Sequence, residues 1–187
     1  MFYRSILQIA LLLCLSTTTL SLSYNMLRFQ LSGSSLACKK FLQQLGGVPE
    51  DCLKDRMSFE VPEEIQRPQQ FQKENATLVI HEMLQNIFGV FRRNFSSTGW
   101  NDTIVEHLLA QLFWQMDHLE TMLEEKLEEE NVTWGNSMSV MHLKSYYLRI
   151  TQYLKAKEYS SCAWTIVRVE ILRNFLFINR LIDYLRD

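Results

Sequence analysis

Helix-breaking residues are scarce in this chain of 187 residues, which contains only 6 glycines and 3 prolines. Folds with many short strands need many turns built on these residues, so their scarcity favours long helices. The net charge is only −2, so the chain lacks the excess of basic residues that is typical of a nucleic-acid-binding protein. Hydrophobic residues make up 47 % of the chain, which argues against disorder and for one domain with a sizeable core.

Motifs for catalysis, phosphate binding and metal binding are also absent from the sequence. It has no glycine-rich phosphate loop and no G-x-S-x-G motif. The four histidines form no close H-x-x-x-H pair, although histidines of different helices could still meet in the fold. They are His81, His107, His118 and His142. Cys38 as a nucleophile would need a partner base, and nothing in the sequence pairs it with one. We therefore expect neither an enzyme nor a bound metal or cofactor.

Only the N-terminus carries a long apolar run, residues 6–15, and Arg4 precedes it. About ten residues are too few to span a bilayer, which takes roughly 20. A small polar stretch follows, with Thr19 and Ser21 at positions −3 and −1 of a cleavage site before Leu22. This layout is typical of a secretory signal peptide. The sequence thus predicts a signal peptide over residues 1–21 and a secreted, extracellular domain over residues 22–187, with no insertion into the membrane.

Four N-x-S/T sequons follow in the predicted secreted domain, at Asn75, Asn94, Asn101 and Asn131. In a secreted chain such asparagines are acceptors for glycans, and glycans need a position at the surface. Three of the four lie where we predict helix ends or loops, and Asn75 is the exception. We predict all four as glycosylation sites.

Five segments repeat apolar residues at helical spacing. They run from about Tyr24 to Leu45, from about Phe71 to Arg93, from Asn101 to the loop that starts at Asn131, from about Met138 to Lys157, and from the capping residues Ser160 and Ser161 to Leu185. Residues 48–70 hold all three prolines and form a long crossing connection between the first two segments. The pattern predicts an all-α bundle of five helices with a long crossover loop between the first two.

Three cysteines remain after removal of the signal peptide, so one disulfide and one free thiol are expected, with three possible pairings. Cys38 lies on the apolar stripe of the first segment, which is typical of a small buried residue. Cys52 lies in the crossing connection, and Cys162 lies at the start of the last segment. Of the three pairings we favour Cys52–Cys162, which would join the connection to the last helix.

The last segment is apolar on more than one face. Its inward stripe contains Trp164, Val167, Ile171, Phe175 and Ile178; Val169, Leu172 and Leu176 lie on other faces, among Arg168, Arg173 and Arg180. Such a helix is either central in the core or has a second face that binds a partner. Exposed aliphatic residues interleaved with arginine are typical of protein interfaces, which favours the partner surface.

Several stretches resemble a known family. Residues 153–175, which end in CAWTIVRVEILRNF, resemble the C-terminal signature of type I interferons. Residues 52–57 (CLKDRM), 83–88 (MLQNIF) and 96–101 (SSTGWN) are similar to other parts of these proteins. The resemblance covers essentially the whole chain.

This resemblance implies a five-helix cytokine bundle without cofactors. It also implies a Cys52–Cys162 disulfide and a free Cys38. The partners it implies are the two different chains of the type I interferon receptor, which a monomeric ligand brings together. Kinase signalling of the JAK–STAT type, with antiviral, antiproliferative and immunomodulatory effects, would follow.

The resemblance also implies two receptor-binding surfaces. The surface for the tighter receptor chain uses the crossing connection and the last helix, at Leu53, Arg56, Arg168, Val169, Leu172 and Arg173. The surface for the other chain uses the second, third and fourth helices, where Asn86 and Phe88 are the matched residues. The sequons at Asn75, Asn94 and Asn131 are more numerous than the family needs, and glycans there could crowd the second receptor chain. Other interpretations are a helical-bundle cytokine for a different receptor, a secreted lipid-binding helical protein and a secreted enzyme.

Overall fold

The computed structural model describes residues 25–67, 73–130 and 138–185. Its helices are α1 (residues 25–44), α2 (Glu63–Gln66), α3 (Lys73–Phe91), α4 (Asp102–Glu130), α5 (Met138–Ala156) and α6 (Ser161–Tyr184), with 3₁₀ helices at Pro49–Asp55 and Ser96–Thr98. The described residues contain no strand, so the all-α prediction is confirmed. The five long helices α1, α3, α4, α5 and α6 match the five segments. The predicted signal peptide and Asn131 lie outside the described residues.

Short helices interrupt the crossing connection, which the sequence predicts only as a loop. A 3₁₀ helix begins at Pro49, where a missing N–H group costs no intrahelical hydrogen bond. Pro62 directly precedes the single turn of α2, whose Ile65 is fully buried. The described part of the connection, residues 48–67, therefore has a defined shape, and Pro49 and Pro62 mark where its short helices start.

Helix α6 is the central element of the bundle. It packs against α3, α5, α2 and both 3₁₀ helices, and hydrogen bonds also join it to α1. The predicted inward stripe of α6 is buried from Trp164 to Ile178. Among the described residues, no helix is both long and apolar enough to cross a membrane.

The start of α6 is fixed by a cap and by two tryptophans. Ser160 accepts a hydrogen bond from the amide of Ala163, which confirms the predicted cap. The indole N–H of Trp164 donates to the carbonyl of Asn94 at 2.9 Å, and that of Trp100 donates to the carbonyl of Gly46 at 3.0 Å. The two indole rings meet edge to face, with centroids 5.4 Å apart. These hydrogen bonds attach two turns to the buried tryptophans, the turn at Gly46 after α1 and the turn at Asn94 after α3.

A disulfide joins Cys52 in the crossing connection to Cys162 in the first turn of α6, and it closes a span of 110 residues. This is the pairing that the sequence favours. The hydroxyl of Tyr153 in α5 donates to the carbonyl of Asp55 at 2.7 Å, and the Asp55 carboxylate pairs with Lys157 at 2.8 Å. The 3₁₀ helix at Pro49–Asp55 is therefore held against both α5 and α6.

The second half of the connection is held by Arg149 of α5. Its guanidinium donates to the carbonyl of Phe59 at 3.1 Å and to the carbonyl of Glu60 at 3.0 Å. Glu60 has a φ of 53°, a left-handed conformation that is rare for a residue with a side chain. Arginine contacts to both carbonyls help to hold the backbone in this conformation.

Replacing both cysteines, as Cys52→Ser with Cys162→Ser, should lower the free energy of unfolding by about 2–5 kcal/mol, because a disulfide across so long a span restricts the unfolded chain. Chemical denaturation followed by circular dichroism measures this. Dithiothreitol should lower the stability of the unmodified protein to a similar extent and should leave the double variant unaffected. A double variant as stable as the unmodified protein would contradict this expectation.

Candidate functional site

An open groove of about 400 Å³ lies between the crossing connection and α6. The residues that matter here are Leu53, Arg56 and Met57 from the connection and Val169, Glu170 and Arg173 from α6. Four of these six, Leu53, Arg56, Val169 and Arg173, are residues that the resemblance to type I interferons implies as binding residues. The structure thus brings together residues that are more than 100 positions apart in the chain.

The groove exposes apolar side chains beside charged ones, namely the arginines Arg56 and Arg173 and the acidic residues Glu50 and Glu170. Leu53 is 64 % exposed and Val169 is 40 % exposed. Leu53 faces outward because the preceding residue, Cys52, faces inward to form the disulfide. Arg56 is exposed at the end of the same 3₁₀ helix, and the side chain of Arg173 is 54 % exposed. Aliphatic surface flanked by two guanidinium groups is typical of the energetically dominant part of a protein interface.

Leu172 is only partly exposed, packs against the core and does not line the groove. One turn further along α6, Leu176 is 50 % exposed and extends the apolar surface beyond the groove. The outward face of α6 is therefore available for a partner, although the helix is also central in the core. The central position of α6 in the core is confirmed, and the use of its outward face by a partner stays a prediction.

The prediction that Arg168 belongs to the exposed binding surface is wrong. Its side chain is buried, with only 7 % of the residue exposed, and it donates to the carbonyls of Leu42 at 3.2 Å and Gly47 at 2.8 Å. The carbonyls at the end of α1 have no partner within that helix, and a guanidinium can reach two carbonyls at once. The sequence does hold a signal for this, since Arg168 lies four residues after Trp164 and seven before Phe175, both fully buried.

The residues predicted for the second surface lie on α3, away from the groove. Asn86 is partly exposed and donates to the carbonyl of Glu82 one turn earlier, at 2.7 Å. Phe88 is partly buried against the core, and the guanidinium of Arg92 lies 5.6 Å from the centre of its ring. Neither residue lines the groove. The structure therefore keeps the two predicted surfaces apart.

Three of the predicted glycan acceptors lie in the described residues, and all three are exposed. Asn75 lies within α3, near its start. Asn94 and Asn101 lie outside helices, and their side-chain oxygens accept hydrogen bonds from the amides of Ser96 and Thr103. Exposure leaves room for a glycan at each of the three, and their glycosylation stays a prediction.

Cys38 is a free thiol that is buried between α1 and α4. Burial raises the pKa of this thiol to about 12, while a hydrogen bond from the Gln115 amide, 3.4 Å from Sγ, acts in the opposite direction. The thiol therefore stays protonated at neutral pH, which is the opposite of what a cysteine nucleophile needs. Within the described ranges, no group of three or more histidine, cysteine or acidic side chains could hold a metal ion.

These features define a class of protein: a helical bundle with a long crossover whose exposed groove is suited to binding another protein. Residues 27–185 match the interferon alpha/beta domain. Interferon beta of Macaca fascicularis and that of Homo sapiens are each 65 % identical to the chain over 184 residues, which is 98 % of both sequences in each pair. The chain therefore belongs to the interferon alpha/beta family.

More distant relatives agree with this assignment. Interferon beta of Mus musculus is 49 % identical over 178 residues, which is 95 % of each sequence. The solved structure of zebrafish interferon 1 has the same fold, with a TM-score of 0.68 at 16 % identity over 82 % of this chain and 94 % of that one. Family membership confirms the resemblance to type I interferons and the prediction of a helical cytokine rather than an enzyme.

Arg168→Ala should lower the free energy of unfolding by about 2–4 kcal/mol, because a buried charge-assisted hydrogen bond to the Leu42 carbonyl and a partly buried one to the Gly47 carbonyl are lost. Denaturant unfolding followed by circular dichroism measures the change. Arg173→Ala, which removes an exposed arginine five residues later, is the matched control and should stay within about 0.5 kcal/mol. Equal effects of the two substitutions would show that Arg168 has no structural role.

In the predicted secreted part, residues 22–187, Cys38 should not react with Ellman's reagent when the protein is folded, and one thiol per chain should react in denaturant. Raising the pH from 7 to 9 ionises an ordinary cysteine. It should not speed the reaction of folded Cys38, because a pKa of about 12 keeps this thiol protonated over that range. Glutathione under the same conditions is the control for the reagent. A fast, pH-dependent reaction of the folded protein would contradict both the burial and the raised pKa.

Proposed function

We propose that this protein is a secreted type I interferon that acts by bringing together the two different chains of the type I interferon receptor. The groove between the crossing connection and α6 binds one receptor chain, and the surface on α3, α4 and α5 binds the other. The kinases attached to the receptor chains then start JAK–STAT signalling and an antiviral, antiproliferative and immunomodulatory response. The groove is the observation that supports this most, because it exposes Leu53, Arg56, Val169 and Arg173 together.

The chemistry of the groove indicates what its partner offers. Leu53 and Val169 present apolar surface, and Arg56 and Arg173 add positive charge. A complementary receptor surface has apolar side chains at its centre and carboxylates at its edge, where they meet the two guanidinium groups. Leu172, at the margin of this area, contributes less than its neighbours because it is partly covered by the core.

Two separate faces on one rigid bundle account for the signal. When one receptor chain is bound, the second binding event takes place between molecules held at the same membrane, which raises the effective concentration of the second chain. The helical core keeps the two faces at a constant angle. One copy of the protein is then sufficient, and we propose that it acts as a monomer.

Glycosylation at the predicted sites would affect the α3 face. Asn75, Glu82 and Asn86 are separated by seven and four residues, so they lie on the same side of this helix. A glycan on Asn75 would therefore extend over the side of α3 on which Asn86 lies. We propose that glycosylation here weakens binding of the second receptor chain. Entry into the secretory pathway, directed by the predicted signal peptide, would bring these sequons to the glycosylation machinery.

Arg56→Ala should weaken binding to the tighter receptor chain by at least about 1–2 kcal/mol, as expected for the arginine of an interface hot spot. Surface plasmon resonance with the receptor ectodomain measures the affinity. Arg67→Ala is the control, because Arg67 is also an exposed arginine of the crossing connection but does not line the groove. Unchanged affinity of the Arg56 variant, with a normal circular dichroism spectrum, would contradict the assignment of the groove.

The two-chain mechanism is tested in cells that lack either receptor chain. Reporter induction should require both chains, and a reporter that still responds after loss of one chain would overturn the bridging mechanism. A lipid-binding function would instead make helicity depend on lipid, whereas the disulfide-joined bundle should be fully helical without it.

A further inference from the structure

The groove is connected to the core by a chain of hydrogen bonds through buried polar side chains. The hydroxyl of Tyr147 donates to the side-chain oxygen of Asn174 at 2.5 Å. The side-chain amide of Asn174 donates to the hydroxyl of Tyr146 at 2.7 Å, and that hydroxyl donates to Glu170 at 2.5 Å. Tyr146, Tyr147 and Asn174 are at most 2 % exposed, whereas Glu170 lines the groove.

The order of donors along this chain is fixed. Tyr146 already accepts a hydrogen bond from Asn174, so its one proton points to Glu170. Burial, followed by the nearby Tyr147 and Glu170, raises the pKa of Tyr146 far above its ordinary value, so the hydroxyl keeps that proton. Glu170 must therefore accept, and its carboxylate is held at one oxygen. The side chain of Glu170 is only 13 % exposed, which further restricts its movement.

The second oxygen of Glu170 faces Arg173. Its distance to Nη1 of Arg173 is 3.9 Å, and the guanidinium also lies 5.6 Å from the ring centre of Phe177, which is buried. A carboxylate on one side and an aromatic ring on the other limit the positions of an arginine side chain that is otherwise half exposed. A free arginine loses about 2 kcal/mol of rotamer entropy when it is fixed, and this loss is smaller when the side chain is already positioned.

We propose that Tyr146 is a positioning residue for partner binding, which orients the Arg173 guanidinium at the groove through Glu170. The inference rests on the proposed function, since it requires that Arg173 contacts the receptor chain bound in the groove. Tyr146 itself is buried and does not touch the partner. Its effect reaches the partner only by way of Glu170 and Arg173.

Tyr146→Phe removes the hydroxyl that holds Glu170 and keeps the ring that fills the core. Tyr147→Phe is the matched control: it removes a neighbouring buried hydroxyl from the same Asn174 but leaves the bond from Tyr146 to Glu170 in place. Tyr146→Phe loses two hydrogen bonds, the one to Glu170 and the one from Asn174, and Tyr147→Phe loses one, so the free energy of unfolding should fall in both and more in Tyr146→Phe. A purely structural role would lower this stability without a selective loss of affinity in the folded Tyr146→Phe protein.

The affinity of the full chain for the tighter receptor ectodomain should fall roughly three- to tenfold with Tyr146→Phe and less than about twofold with Tyr147→Phe. In the background of Arg173→Ala, adding Tyr146→Phe should change affinity by less than about twofold, because the side chain that Tyr146 positions is gone. Unfolding curves of every variant confirm that binding is measured on folded protein.

Equal losses for Tyr146→Phe and Tyr147→Phe, or an undiminished effect of Tyr146→Phe in the Arg173→Ala background, would overturn the inference. The inference would also be overturned if Arg56→Ala weakened binding and Arg173→Ala did not. The partner would then bind in the groove without contacting Arg173. Normal affinity for both Arg56→Ala and Arg173→Ala would instead refute the proposed use of the groove, and the inference with it.

Discussion

The attachment of the crossing connection to the start of α6 is the constraint on which the binding surface depends. The Cys52–Cys162 disulfide makes this attachment covalent, and it brings the 3₁₀ helix at Pro49–Asp55 against a helix that begins 106 residues after that 3₁₀ helix ends. Because one wall of the groove comes from each side of this junction, loss of the disulfide would leave the spacing of the walls to the non-covalent contacts alone. Hydrogen bonds from Tyr153 and Arg149 to backbone carbonyls extend the attachment along the connection. A segment of this length without such contacts would lose much entropy on binding a partner.

Helix α6 combines two functions that usually belong to different helices. Its inward stripe fills the centre of the bundle, and Arg168 on the same stripe satisfies the carbonyls of Leu42 and Gly47. The next residue, Val169, already faces the groove. A rotation of α6 about its axis would therefore disturb the core and the groove together. The tightly packed inward face of α6 thus fixes the rotation of the helix. This rotation determines where the side chains of its outward face point.

Most of the fold could be predicted from the sequence, because the apolar spacing of each long helix is a local property. The composition of the groove was partly predictable for the same reason: helical spacing alone places Val169 and Arg173 four residues apart on one face. Arg168 was misassigned because an arginine next to exposed residues usually lies at the surface, and only the distant carbonyls at the end of α1 make its burial favourable. The link from Tyr146 and Tyr147 to Glu170 and Asn174 could not be predicted, since it joins residues 24 to 28 positions apart on two helices whose relative rotation no local pattern specifies.

The two proposed receptor surfaces differ in how firmly the structure holds them, and under the proposed function this difference predicts unequal affinities. At the groove, a disulfide and hydrogen bonds to carbonyls hold the backbone of the crossing connection, and a buried polar network holds Glu170 of α6. At the α3 surface, Asn86 bonds only to the carbonyl of Glu82 in its own helix, and Phe88 is partly withdrawn into the core with Arg92 above it. Side chains held by a single helix turn must be ordered when the partner arrives, and this ordering reduces the free energy left for binding. Under the proposed function, the groove therefore suits the tighter receptor chain, and the α3 face suits a chain that binds well only once the first has brought it close.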